Sequence, residues 1–172
     1  MVRFIKHIAF AVSITCLFAF IYSCGSDNGC EGNKSSIPLA GLYSSQTKSA
    51  ISVDSLTVFG IGMPGDTTIV DTATVSQVYM PLDMNDTISR FVFRYEQASI
   101  ASYNITDTIT LTYESTPYFH SEDCGAMYVY DIHEYHSTQN LIDSIRIPNL
   151  HIDNTNTENI QIFFRTQQEG NQ

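Results

Sequence analysis

Tryptophan is absent from the 172 residues, and only eight Lys and Arg stand against eighteen Asp and Glu. With a formal charge of −10 and a pI near 4.6, there is little to neutralise phosphates, which argues against nucleic acid as a partner. Four Cys are too few for a disulfide-dense miniprotein or a zinc-ribbon array, and nine Gly are too few for collagen. No window carries a sustained 3.6-residue apolar stripe of helical length, and GxSxG, P-loop and dinucleotide glycine patterns are all missing. What is present is a globular composition, 43% hydrophobic, 15% charged and 12% aromatic, of a length that suits one domain.

Residues 1 to 23 contain no acidic residue but hold Arg3 and Lys6, and Ile8 to Tyr22 is apolar apart from Ser13, Thr15 and the Tyr22 phenol. A basic start followed by an apolar run of this length reads as a secretory signal, because a permanent span needs roughly 20 apolar residues. An uncleaved anchoring helix is the alternative. Once residues 1–23 are removed, six Lys and Arg remain against eighteen acidic residues, a formal charge of −12.

The run ends Ile21, Tyr22, Ser23, Cys24, Gly25, which resembles the bacterial lipobox, although Tyr22 stands where the pattern has a smaller residue. The resemblance implies that the Cys24 thiol takes a diacylglycerol and that, after cleavage, its amino group takes a further acyl chain such as palmitate. Each buried methylene contributes ~0.8 kcal/mol, so two or three chains make a stable membrane anchor where one holds only marginally. Cys16 leaves with the signal, and Cys30 and Cys124 remain. In an oxidising compartment this pair most simply forms a disulfide, closing a loop of about 100 residues worth at most ~4.7 kcal/mol. Two free thiols are the alternative. Neither Cys has a second Cys or His at CxxC spacing, so metal ligation is disfavoured.

Residues 24–36 then read as the lipidated Cys and a polar, glycine-rich tether. From 37 to 166 short apolar alternations are separated by Gly, Pro, Asn, Asp and Ser, and 167–172 reads as a disordered tail. The clearest alternations are Phe91, Phe93 and Tyr95; Ile109, Leu111 and Tyr113; and Ile160, Ile162 and Phe164. Weaker strands are expected at 38–44, 51–59, 78–82, 125–132 and 141–147, with a bulge at Asp54 and Ser55 where the apolar phase flips. About eight strands in this length predict an all-β domain, an antiparallel β-sandwich of two sheets with a small β-barrel as alternative. The wide spacing between them predicts long loops rather than tight hairpins.

SIPLAGLYSS (36–45), ISVDSLTVFGIGMPGD (51–66), YFHSEDCGAMYVYDI (118–132), LIDSIRIPN (141–149) and NIQIFFRT (159–166) together resemble a family of Bacteroidetes-type cell-envelope lipoproteins. The resemblance implies a single β-rich envelope domain with no assigned activity, on the outer membrane, its periplasmic or surface face left open. It also bears on six triplets of Asp, Ser or Thr, and an aliphatic residue or Thr, where composition alone gives about one. They resemble the acceptor sequence for O-glycosylation in such bacteria and make Ser55, Thr67, Thr72, Thr87, Thr108 and Ser144 candidate sites. An Asp closing a turn before a β-branched strand start produces the same triplet.

HEYH (133–136) falls short of the zincin HExxH, which puts two His on one helix face. His residues three apart on an extended chain point to opposite faces, so a solvated loop is the expected state. No metal or other cofactor is expected, even with His120, Glu122, Asp123 and His151 nearby in sequence. DMND (83–86) and DNTNTEN (153–159) lack the EF-hand spacing and read as Asx turns. Two functional classes survive: a membrane-anchored binding or assembly module with a protein or glycan partner, and an envelope enzyme acting on glycans or lipids through loop carboxylates or His.

Overall fold

In the computed structural model, residues 36–62, 67–121 and 125–166 are described. They form ten strands and no α-helix: β1 (Leu39–Ser44), β2 (Val53–Ile61), β3 (Thr68–Val75), β4 (Gln77–Tyr79), β5 (Ile88–Tyr95), β6 (Thr106–Ser121), β7 (Gly125–Ser137), β8 (Ile142–Arg146), β9 (His151–Ile152) and β10 (Glu158–Phe164). A four-stranded sheet runs β4-β1-β10-β8 and a six-stranded sheet runs β3-β2-β5-β6-β7-β9. The fold is all-β, with two sheets facing each other as a sandwich.

The alternating residues supply the core, because period-two patterning puts one side of each strand between the sheets. Phe91, Phe93, Ile109, Leu111, Ile160 and Ile162 are all fully buried. They are joined across the sandwich by Leu42, Leu56, Val58, Ile132 and Ile152. Two edge-to-face ring pairs add directional packing: Tyr95 on Phe164, at 6.2 Å between centroids, and Tyr113 on Tyr130 at 5.5 Å. The phase flip in β2 is a register break, since Val53 pairs with Val75 but Leu56 pairs with Ala73. Ser55 and Thr72 there have left-handed φ of 49° and 43°.

Three features depart from the sequence expectation. First, β1 and β10 pair in parallel, Ala40 with Ile160 through Ser44 with Phe164, so the smaller sheet is mixed rather than antiparallel. Parallel neighbours need a long crossover, and here nearly the whole domain supplies it. Second, β6 and β7 make one long antiparallel ribbon from Ile109–Ser137 out to Ser121–Gly125, where short strands and a long loop were expected. Third, HEYH lies within β7 rather than in a loop.

One buried carboxylate ties the turn after β7 to the core. Asp107, with no exposed surface, accepts the Tyr95 hydroxyl at 2.9 Å, the Thr138 hydroxyl at 2.8 Å, and the backbone N–H groups of Asn140, Leu141 and Ile142 at 2.8 to 2.9 Å. Burial first, then the Asp107 charge and hydrogen bond, push the Tyr95 phenol far above its ordinary pKa. A carboxylate is affordable inside a sandwich only when its lone pairs are filled in this way.

Candidate functional site

The outer face of the four-stranded sheet carries a cross-strand lattice. One row is Tyr43, Phe163 and Ser144; the row beside it is Gly41, Gln161 and Arg146. Directly opposed residues share a face and touch, so strands far apart in sequence present these groups together. Tyr43 and Phe163 lie 5.6 Å apart between centroids and tilted by 38°, forming an aromatic floor. An open groove of about 490 Å³ sits over them, lined by Tyr43, Lys48, Ser144, Arg146, Gln161 and Phe163.

Each wall of the groove has a local cause. Glu158 accepts the Tyr43 hydroxyl at 2.8 and 2.9 Å and the Gln161 amide at 3.0 Å, which orients both. The hydrogen bond to Glu158, then burial, raise the Tyr43 pKa and keep the phenol protonated. The Glu158 carboxyl and the Tyr43 ring occupy the space where a Cβ on Gly41 would go, so a side chain there would push the Glu158 carboxyl off Tyr43 and Gln161. Lys48 stands in the turn after β1, built by the Ser44 hydroxyl accepting from Gln46 and Thr47 N–H and by Lys48 N–H bonding to Ser44 O. Its φ of 59° is a left-handed conformation that favours glycine, yet the chain places a lysine there. The ammonium lies 4.6 Å from the Phe163 centroid, a cation–π contact.

Among the described residues Lys and Arg occur only at 48, 90, 94, 146 and 165. Arg94 is paired with Glu96 and Arg165 with Asp143. Lys48 and Arg146 face the groove without a carboxylate partner among the described residues. A second concavity, of about 350 Å³, opens at one end of the sandwich against Ile51, Tyr95, Ile100, Phe164 and Arg165. Arg165 is committed there to the Gln139 and Asn140 carbonyls. Neither concavity has a carboxylate in its lining.

Ser144 is brought into the groove; the other O-glycosylation candidates are scattered. Thr67, Thr72 and Thr87 are exposed, while Ser55, Thr108 and Ser144 are half-buried. The Asp of the Thr108 triplet is Asp107, held by the fold as described above. Asp86 accepts Thr87 N–H at 2.7 Å and Asp83 accepts Asn85 N–H at 2.8 Å, while Asp153 accepts Thr155 N–H at 2.9 Å, so DMND and DNTNTEN form Asx turns. Cys24, Cys30 and Cys124, with the expected signal, the expected tether as far as residue 35, Glu122, Asp123 and the 167–172 tail, lie outside the described residues, while Ser36, the last position of that tether, is buried.

The two His of HEYH share a face, contrary to the extended-chain expectation. Thr112 pairs with Glu134 but Tyr113 with Ile132, so His133 is an extra residue in a bulge. It reaches Glu114 at 3.8 Å, and His136 reaches Glu134 at 4.0 Å. On the neighbouring strand His151 bonds Asp131 at 2.7 Å. All sit on an open, exposed sheet surface, and among the described residues no group of three His, Cys, Asp or Glu is arranged to hold a metal.

All the groove residues except Lys48, which stands in a turn, lie in strands that sequence patterning found, but the patterning did not join them as a site. Phe163, outward-facing between two core residues, was the readable signal: a large ring on the polar side of an alternating strand.

These features define a two-sheet β domain with an aromatic and cationic groove on the outside of the smaller sheet. The chain belongs to a family of unknown function (DUF6452), whose model matches residues 55–164. That span includes Ser144, Arg146, Gln161 and Phe163, while Gly41, Tyr43 and Lys48 precede it. No curated protein and no solved structure matches the chain.

Proposed function

We propose that this is an envelope lipoprotein, anchored through acylated Cys24 and stapled by a Cys30–Cys124 disulfide, that works as a binding module of the Bacteroidetes-type cell surface or periplasm. The observation that carries the binding reading is the groove, where two half-buried rings and two cations without carboxylate partners are assembled on one sheet face. Open grooves with a few convergent polar groups are where ligands are bound. The reading is supported further by the stability cost accepted at Lys48, since strain kept in a folded chain points toward use. The partner is expected in the envelope itself.

The test is retention. The acylated chain, solubilised in detergent and mixed with insoluble envelope from the producing cell, is expected to sediment with it, and Arg146→Ala is expected to cut the bound fraction at least fivefold. Equal retention of wild type and Arg146→Ala would remove the groove from the function.

A further inference from the structure

We propose that the groove takes an anionic saccharide, one whose ring bears a carboxylate. This deepens the binding reading above and rests on it. Tyr43 and Phe163 offer a tilted floor rather than a socket, which suits the flat C–H face of a sugar ring better than a bulky side chain needing a hole to fill. Beside them the Gln161 amide gives one N–H to Glu158 and the Ser144 hydroxyl donates to Asp143, which leaves the Gln161 carbonyl and the Ser144 oxygen as acceptors for ligand hydroxyls, while Glu158 holds Tyr43 and Gln161 in place.

The sign of the ligand follows from charge. In a chain of formal charge −10, Lys48 and Arg146 line one groove, and neither has a carboxylate partner among the described residues. Arg presents a planar fork that matches a carboxylate, and Lys a compact point charge. The Lys48 ammonium rests on a ring face, a contact weak enough at an exposed site to be exchanged for an anion. A neutral glycan would leave both cations unused.

The experiment is calorimetric titration of the detergent-solubilised full chain with trigalacturonate, maltotriose and hexaglutamate. Trigalacturonate is expected to bind, with affinity falling as salt is raised, and maltotriose at least tenfold more weakly. Lys48→Gly and Arg146→Gln are each expected to lose tenfold or more for trigalacturonate. Lys48→Gly should do so with an undiminished urea midpoint, because glycine suits that backbone; a structural role for Lys48 predicts a lowered midpoint. Maltotriose binding as tightly as trigalacturonate would overturn the anionic assignment while leaving a saccharide module. Tighter binding of hexaglutamate would overturn it in favour of an acidic peptide. Absence of all three, with envelope retention still dependent on Arg146, would sink the saccharide and keep the binding reading; absence of both would sink both.

Discussion

Replacing Asp107 tests how the sandwich is closed. In Asp107→Ala five donors lose their acceptor. Asn140 and Thr138 are exposed and Leu141 half-buried, so these recover water. Tyr95 and Ile142 are buried and cannot. Each buried donor left unmade costs about 1–3 kcal/mol, which gives about 4 kcal/mol for the pair. With a urea m-value of about 2 kcal/mol per M, the midpoint should fall by about 2 M with m unchanged. Asp107→Asn keeps one acceptor oxygen but turns an NH₂ toward backbone N–H groups, and should cost about 2–3 kcal/mol. Tyr95→Phe removes one donor of five and should cost about 1 kcal/mol. If Asp107→Ala does not fold, the order of the two milder variants still decides. A loss below about 1 kcal/mol for either Asp107 variant would show that this carboxylate does not hold the β7–β8 turn.

Burial is the leading cause of the raised pKa of Tyr95, Tyr113 and Tyr130. In the unfolded chain they ionise near pH ~10, so the folded state keeps protons that the unfolded state releases, and stability present below that pH is lost above it. Absorbance at 295 nm should show a class of tyrosines that ionise only as the protein unfolds; complete ionisation of a still-folded chain would contradict the burial. Cys24→Ala should leave the chain unacylated and released from membranes, read by intact mass and fractionation, and a processed, membrane-bound Cys24→Ala protein would refute the anchor. Non-reducing peptide mapping should join Cys30 to Cys124; free alkylation of both thiols without reductant would refute the staple. Glycan mass from the native host should appear first at the exposed Thr67, Thr72 and Thr87, and an intact mass equal to polypeptide plus lipid would leave the six triplets as turn chemistry.

The buried faces of β5, β6 and β10 were legible because alternation is a local property: Phe91, Phe93, Ile109, Leu111, Ile160 and Ile162 each announce a strand and its inward side. β3 was not, because in TIVDTATV the exposed and half-buried positions follow no strict alternation around the left-handed Thr72. β9 is only two residues, His151 and Ile152, below what any period reveals. The parallel pairing of β1 with β10 was invisible for a different reason. It joins Leu39 N–H to the Asn159 side chain across 120 positions, and nothing in either segment names the other. The groove depends on that pairing, so Tyr43, Lys48 and Gly41 could not be read as neighbours of Gln161 and Phe163. The β7 bulge at His133 likewise overrode a face assignment that strict period two required.

The most direct measurement of the central claim is hydroxyl-radical footprinting of the acylated chain with and without envelope from the producing cell. A ligand seated in the groove should protect Tyr43 and Phe163, while Tyr103, which is 74% exposed and not among the groove-lining residues, should be labelled equally in both. Protection confined to Phe119 and Tyr128 on the β6–β7 ribbon, with Tyr43 and Phe163 unchanged, would place binding on the wrong face and contradict it.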